Sequence, residues 1–335
     1  MSPDPRTERR PAAGHAETFR ALGLPPGDLH DHPASPLSFP DGGAYRIEIA
    51  TMEGLAAVEA TIATAQELGV PVHRVTQGSG AMLLPAAELE AMAALGRAHD
   101  VEVCVFVGPR GPWDGTASPH APQGGVFGWR NFGLDQLGYA VRDVQRAVAA
   151  GVRSICVADE GLLFLLGRMR ERGELPADLV LKVSALLGIA NPVQARLLCE
   201  LGADTVNVAS DTSLARLAAF RAVIGAPLDL YVESPDALGG FARYWEVAEI
   251  VRVAAPVHLK FALINAPNHY PAGRHHEAAV VAGAVERVRR AQAALEILAD
   301  LAPGAVVSPG GAGGAARAAG ASGAAPSSNE STTHV

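Results

Sequence analysis

The chain has 335 residues, of which 49% are hydrophobic and 19% charged, with a formal net charge of −8. That apolar share can build a sizeable core and excludes a wholly disordered protein, while the acidic balance argues against a surface made to grip nucleic acid. No apolar run is long enough to cross a bilayer, and the first 30 residues are charged and proline-rich, so a cytoplasmic protein with no membrane partner is expected.

Cys104, Cys156 and Cys199 are too scattered for a disulfide framework and lack metal-ligand spacing, so they read as reduced core residues. The basic residues are more informative. Only two of the 27 are lysine, Lys182 and Lys260, and the rest are arginine. Lysine is not this chain's general surface charge, and each one asks for a specific explanation.

Residues 1–40 are rich in Pro, Asp and Arg without periodicity, and residues 301–335 turn to Gly, Ala and Ser. Both are expected to be flexible tails around a globular part at 41–300. Within it a short β-type run, 45–50, precedes a helical stretch at 53–68 that Gly69 stops. The phrase recurs at 72–77 with a helix over 85–99, at 101–107 with a long loop and a helix over 134–150, and at 152–158 with 161–172. Further along come 178–184 with 192–201, 204–209 with 213–224, 228–233 with a segment ending near 254, and 257–262 with 276–298. Eight strand–helix repeats of this kind predict a (β/α)8 TIM-type barrel, with reactive groups at the C-terminal ends of the strands. No G-x-G-x-x-G follows the first strand to favour an open dinucleotide-binding sheet.

Strand side chains alternate between the helix layer and the barrel axis. Large aliphatics mark the outer set, which turns Val180, Lys182 and Ser184 inward on the fifth strand, and His258, Lys260 and Ala262 inward on the eighth. The same parity places Arg46 and Glu48, Arg74 and Thr76, Glu160, Asn207, and Tyr231 and Glu233 on the axis. Buried charge is expensive unless paired. The interior is therefore expected to be either a polar substrate site, the preferred reading, or a satisfied salt-bridge network.

Two loops are placed to cover such a site. The connection 108–131 is longer than a barrel needs and carries Arg110, Trp113, Asp114, His120 and Trp129, which suggests a lid. After the eighth strand, Asn268, His269, Tyr270 and Arg274 stand on a proline-stiffened loop available to a ligand. His275 and His276 read as surface histidines. Glu48, Glu160, Glu233 and His269 lack a recognised metal spacing, so no metal is expected.

The motifs Val72-His-Arg-Val-Thr-Gln-Gly-Ser-Gly80, Val157-Ala-Asp-Glu-Gly161, Leu179-Val-Leu-Lys-Val-Ser184 and Leu259-Lys-Phe-Ala-Leu-Ile-Asn-Ala-Pro267 resemble those of the peptidase family U-32, the collagenase-like group, over about 45–298. The resemblance implies a barrel and either peptidase activity or hydroxylation chemistry on cysteine-bound iron–sulfur clusters. The segment matching the family's cysteine signature, Leu228-Asp-Leu-Tyr-Val-Glu-Ser234, has no cysteine, so no iron–sulfur cluster or other cofactor is expected.

Taken together, these residues point to an enzyme for a small anionic carbonyl metabolite, using lyase or isomerase-type acid–base chemistry. Lys182 or Lys260 would be the base or Schiff-base amine with its pKa depressed in an apolar barrel, and Glu48 and Glu233 would orient or protonate. Arg74, Arg110, Asn207, Glu160, Tyr231, Asn268 and His269 would bind substrate. A peptidase or amidohydrolase and a non-catalytic binding barrel are the competing expectations.

Overall fold

The structure is a computed structural model and describes residues 14–108, 117–122, 124–267 and 269–310. Its eight parallel strands close in sequence order into a barrel, each strand paired with its neighbours and the eighth with the first. The strands are β1 Tyr45–Ala50, β2 Val72–Gln77, β3 Glu102–Phe106, β4 Ser154–Val157, β5 Val180–Val183, β6 Thr205–Asn207, β7 Leu228–Glu233 and β8 Val257–Phe261. The expected TIM-type barrel is what forms.

A short helix, α1 Gly14–Ala21, precedes the barrel. The crossover helices are α2 Leu55–Leu68, α3 Ala86–Ala98, α4 Gly133–Ala149, α5 Glu160–Glu171, α6 Pro192–Glu200, α7 Leu214–Val223, α8 Val247–Ala254 and α9 Glu277–Leu301. Their ends are set by local chemistry. Asp159, Asn191 and Ser213 cap α5, α6 and α7 by accepting hydrogen bonds from the amides of Leu162, Gln194 and Arg216. Gly69 ends α2 in the left-handed region at φ 67°, which glycine enters without a Cβ penalty.

Outward strand residues such as Ile47, Val105, Leu181, Val206, Leu230 and Leu259 pack with the helices in one continuous core. The inward set is different in kind. Arg74, Glu48, Lys182, Asn207 and Asp229 are all buried inside the barrel, where most barrels of this type stack branched aliphatics.

The structured region extends beyond 41–300, because segments on both flanks build the barrel floor. Phe39 is 1% exposed and sets its ring against His258, with the Arg46 guanidinium 4.3 Å over its face. From the other flank, the amide of Ser308 donates to the Tyr45 carbonyl, and its Oγ donates to Asp41 while accepting from Arg46. Gly43 lies so close to Ser308 that an added Cβ would overlap its backbone and Oγ. Replacing Gly43 with Ala is expected to overpack this floor and cost about 1–3 kcal/mol, read as a lower urea midpoint at unchanged m-value. An unchanged midpoint would mean that the 305–310 segment does not seal the barrel.

Candidate functional site

The interior polar groups assemble around Glu48. The Lys182 ammonium donates to Glu48 Oε2 at 2.6 Å and to Asp229 Oδ2 at 2.5 Å. Arg74 Nη1 reaches the same two carboxylates at 3.3 and 3.1 Å, and its Nε donates to Glu102 at 2.7 Å. Thr76 and Thr205 donate their hydroxyls to Glu48 and Asp229. Three cations, Arg74, Lys182 and Lys260, thus meet three carboxylates, Glu48, Glu102 and Asp229.

Depth separates the two lysines. Lys182 is fully buried, whereas the Lys260 side chain keeps 6% of its surface. The Lys260 ammonium donates to Asn207 Oδ1 at 2.9 Å, lies 3.1 Å from Glu48 Oε1 and rests 4.5 Å from the centre of the Tyr231 ring. Tyr231 groups with Ala50, Ala262, Ala185 and Leu238, from strand ends and the loops beyond them, so Lys260 is the interior cation nearest the C-terminal mouth.

Burial alone would raise the Glu48 carboxyl, but the Lys182 and Lys260 ammoniums outweigh it and hold it well below the usual carboxylate range. Asp229 is held down likewise by Lys182 and Arg74. Burial would lower Lys260, yet Glu48 and Tyr231 hold it above its ordinary value. This corrects the expected depressed lysine at the mouth. A carboxylate 3.1 Å away counts for more than the apolar wall.

Several other expectations change. Glu233 was expected on the axis, but an irregular pairing between Tyr231 and Glu233 aligns it with the outward Phe261. Its Oε1 accepts from the Ile264 amide and its Oε2 faces the Tyr244 hydroxyl and Arg290, so it belongs to the wall between β7, α8 and α9. Glu160 starts α5 and pairs with Arg130 at a site 44% exposed, on the rim instead of the axis. Arg74 and Asn207 do face inward, but they are spent on internal partners; Asn207 Nδ2 donates to the Val208 and Asp229 carbonyls. His269 stands in the β8–α9 loop with its ring 5.3 Å from that of His276, and burial lowers its pKa. Arg110 and Asn268 lie outside the described residues.

Asp229 was missed, although it shares the parity that singled out Tyr231 on the same strand. The mouth itself is framed by Trp129, which packs edge-on against Phe106, and by a cavity of about 240 Å³ lined by Ala185, Ala209, Ser210, Asp211, Leu238, Gly239 and Phe241. Among the described residues, no group of three or more His, Cys, Asp or Glu is arranged to hold a metal. No helix among them is long and apolar enough to cross a membrane.

No protein-family model matches the chain, and no curated protein matches it. Solved structures similar to it include the U32 peptidase Mk0906, at 18% identity over 61% of this chain and 74% of that one, with a TM-score of 0.37. Others are a putative fructose-1,6-biphosphate aldolase from Coccidioides immitis (15% identity, 78% and 91% covered, TM-score 0.45) and the homocysteine methyltransferase MmuM from Escherichia coli (12%, 72% and 97%, 0.45). Likeness at this level says nothing about substrate or reaction.

The depressed carboxyls set the acid limit of the fold. Glu48 and Asp229 stabilise the folded state above the unfolded carboxylate range, and that contribution is lost as pH falls below about 4. His258, buried and 2.8 Å from Asp229 Oδ1, is lowered by burial from 6.5 to about 4, so the unfolded chain takes up its proton first and stability already slips between those values. Lys182→Met is expected to cost about 3–5 kcal/mol and to move acid unfolding to higher pH, since both carboxyls lose their main cation. Urea midpoints across the acid range would show it, and an unshifted acid limb would remove Lys182 from the network.

Proposed function

We propose that this barrel is an enzyme for a small anionic metabolite bearing a carbonyl, bound at the C-terminal mouth, with Lys260 as the group that meets the carbonyl oxygen. The observation that carries the reading is depth: Lys260 keeps 6% of its side-chain surface at the mouth end while Lys182 keeps none. Because Glu48 keeps the ammonium protonated, Lys260 serves as a hydrogen-bond donor and fixed positive charge rather than as a base or Schiff-base amine. An enolate oxygen develops negative charge in both lyase and isomerase reactions of carbonyl compounds, and a fixed ammonium in a low-dielectric site stabilises it. The Tyr231 ring lies 4.5 Å from the ammonium, and Asn207 and Glu48 fix its direction.

One observation favours a second reading, a binding barrel without catalysis. The interior charges balance, three cations against three carboxylates, which is what a network kept for folding alone would require. Nothing in the geometry adds weight to a peptidase beyond the motif resemblance.

Thermal-shift titration with a panel of 2-oxo acids and sugar phosphates tests the ligand site against a charge network kept for folding alone. A panel member is expected to raise the melting temperature of the wild type and to bind the Lys260→Met variant at least about tenfold more weakly, a loss of about 1.4 kcal/mol, with the circular dichroism of the fold retained. Equal binding by both proteins would remove Lys260 from the site. Silence across the panel would favour a network kept for folding alone.

A further inference from the structure

On α9, Arg287 is 5% exposed, and its Nε and Nη1 are buried without a hydrogen-bond partner. Other buried guanidiniums in this chain are used. Arg74 holds three carboxylates, and Arg221 and Arg243 donate to backbone carbonyls, with Arg243 also paired to Glu246. A buried cation with idle donors is costly unless something else completes it.

Its position says where that something would come from. Helical side chains lean toward the helix N-terminus, and Arg287 lies back over Gly283, where an added Cβ would come within 3.0 Å of Nη1. Since α9 follows β8 and starts at the C-terminal face of the barrel, this lean carries the charge toward the mouth. The loop above is tethered by the Tyr270 hydroxyl at 3.0 Å from Thr51 Oγ1 and by the Ala272 amide, which donates to Ser79 Oγ.

The groups that act most strongly on the guanidinium are Tyr270, Glu53, Tyr231 and Glu233. Neither carboxylate bonds it. Glu53 accepts from the amides of Gly78 and Ser79 at 2.7 and 2.8 Å, and Glu233 is taken by Ile264, Tyr244 and Arg290. Tyr231 is also the ring under the Lys260 ammonium, so the two cations share it as a neighbour.

We infer that Arg287 is a binding residue for the carboxylate of a small-molecule ligand whose carbonyl reaches Lys260. The assignment rests on the function proposed above and narrows it to an oxo acid. A carboxylate suits the site better than a phosphate dianion. Each negative charge brought to the guanidinium also meets Glu53 and Glu233, so a singly charged carboxylate is repelled less than a phosphate dianion. Carboxylates also match the planar edge of a guanidinium with two parallel hydrogen bonds.

Thermal-shift titrations with pyruvate, with propionate, which keeps the carboxylate and drops the ketone, and with inorganic phosphate, at matched ionic strength, test the assignment. The wild type is expected to respond to pyruvate and propionate more than to phosphate. Arg287→Met should weaken both carboxylates at least about tenfold, while Arg289→Met, at an exposed site on the same helix, should leave both unchanged. Lys260→Met should weaken pyruvate and spare propionate. Arg287→Gln, which keeps hydrogen-bonding groups without the charge, serves if the methionine variant does not fold, and is expected to lose the carboxylates likewise. Undiminished propionate binding in either Arg287 variant, or a wild type that responds to phosphate over carboxylates or to neither carboxylate, would overturn the Arg287 assignment. Pyruvate binding lost in Lys260→Met but intact in the Arg287 variants would leave the mouth reading standing alone.

Discussion

The barrel depends on Glu48 being kept ionised in a place closed to bulk solvent. Its two oxygens take Lys182 and Arg74 on one side and Lys260 and Thr76 on the other, which ties three other strands, β2, β5 and β8, to a single carboxylate on β1. Remove any one cation and the rest of the cluster carries unbalanced charge in a low-dielectric interior, where the penalty is several kcal/mol. The same requirement explains why Asp229 and Glu102 are where they are: each finishes the coordination of a cation that Glu48 alone could not satisfy.

This arrangement also decides what the lysines can do. An amine must be free to act as a base or to form an imine, and lysine pKa values fall when burial goes uncompensated. Here burial is compensated, so the chemical character available at the mouth is that of a fixed positive charge. Electrostatic stabilisation by a preorganised cation is the contribution such a group makes best. Arg287 is the counter-example within the same molecule, a buried cation with carboxylates near it but no hydrogen bond to any of them.

Much of the architecture was legible in the sequence because strand and helix periods are local properties. β1, β2 and β7 begin and end where the alternation of apolar residues does, and Gly69 stops its helix as the pattern implies. Inward parity correctly found Lys182, Lys260, Glu48, Arg74, Asn207 and Tyr231, since side-chain direction is fixed by the pleat. It failed at Glu233, where an irregular pairing shifts the register, and at Glu160, where the chain has already turned into α5. Asp159 ahead of the helical run is a cap signal that places Glu160 in the helix, whereas the shifted register at β7 leaves no mark in residue order. Nor does the charge state of Lys260, which depends on a residue 212 positions away (260 − 48). Arg287 was invisible for a related reason: an arginine on an amphipathic helix looks like surface until the packing shows it enclosed.

The floor made by Phe39 and Ser308 turns the barrel into a blind vessel. The inward side chains then differ in depth between the rim and that base: the Lys260 side chain keeps 6% of its surface and that of Lys182 none. Two lysines with the same covalent structure thus sit at different depths, and of the two only the shallower keeps any exposed surface. By plugging one end, residues far from the rim make a direction out of a symmetric tube.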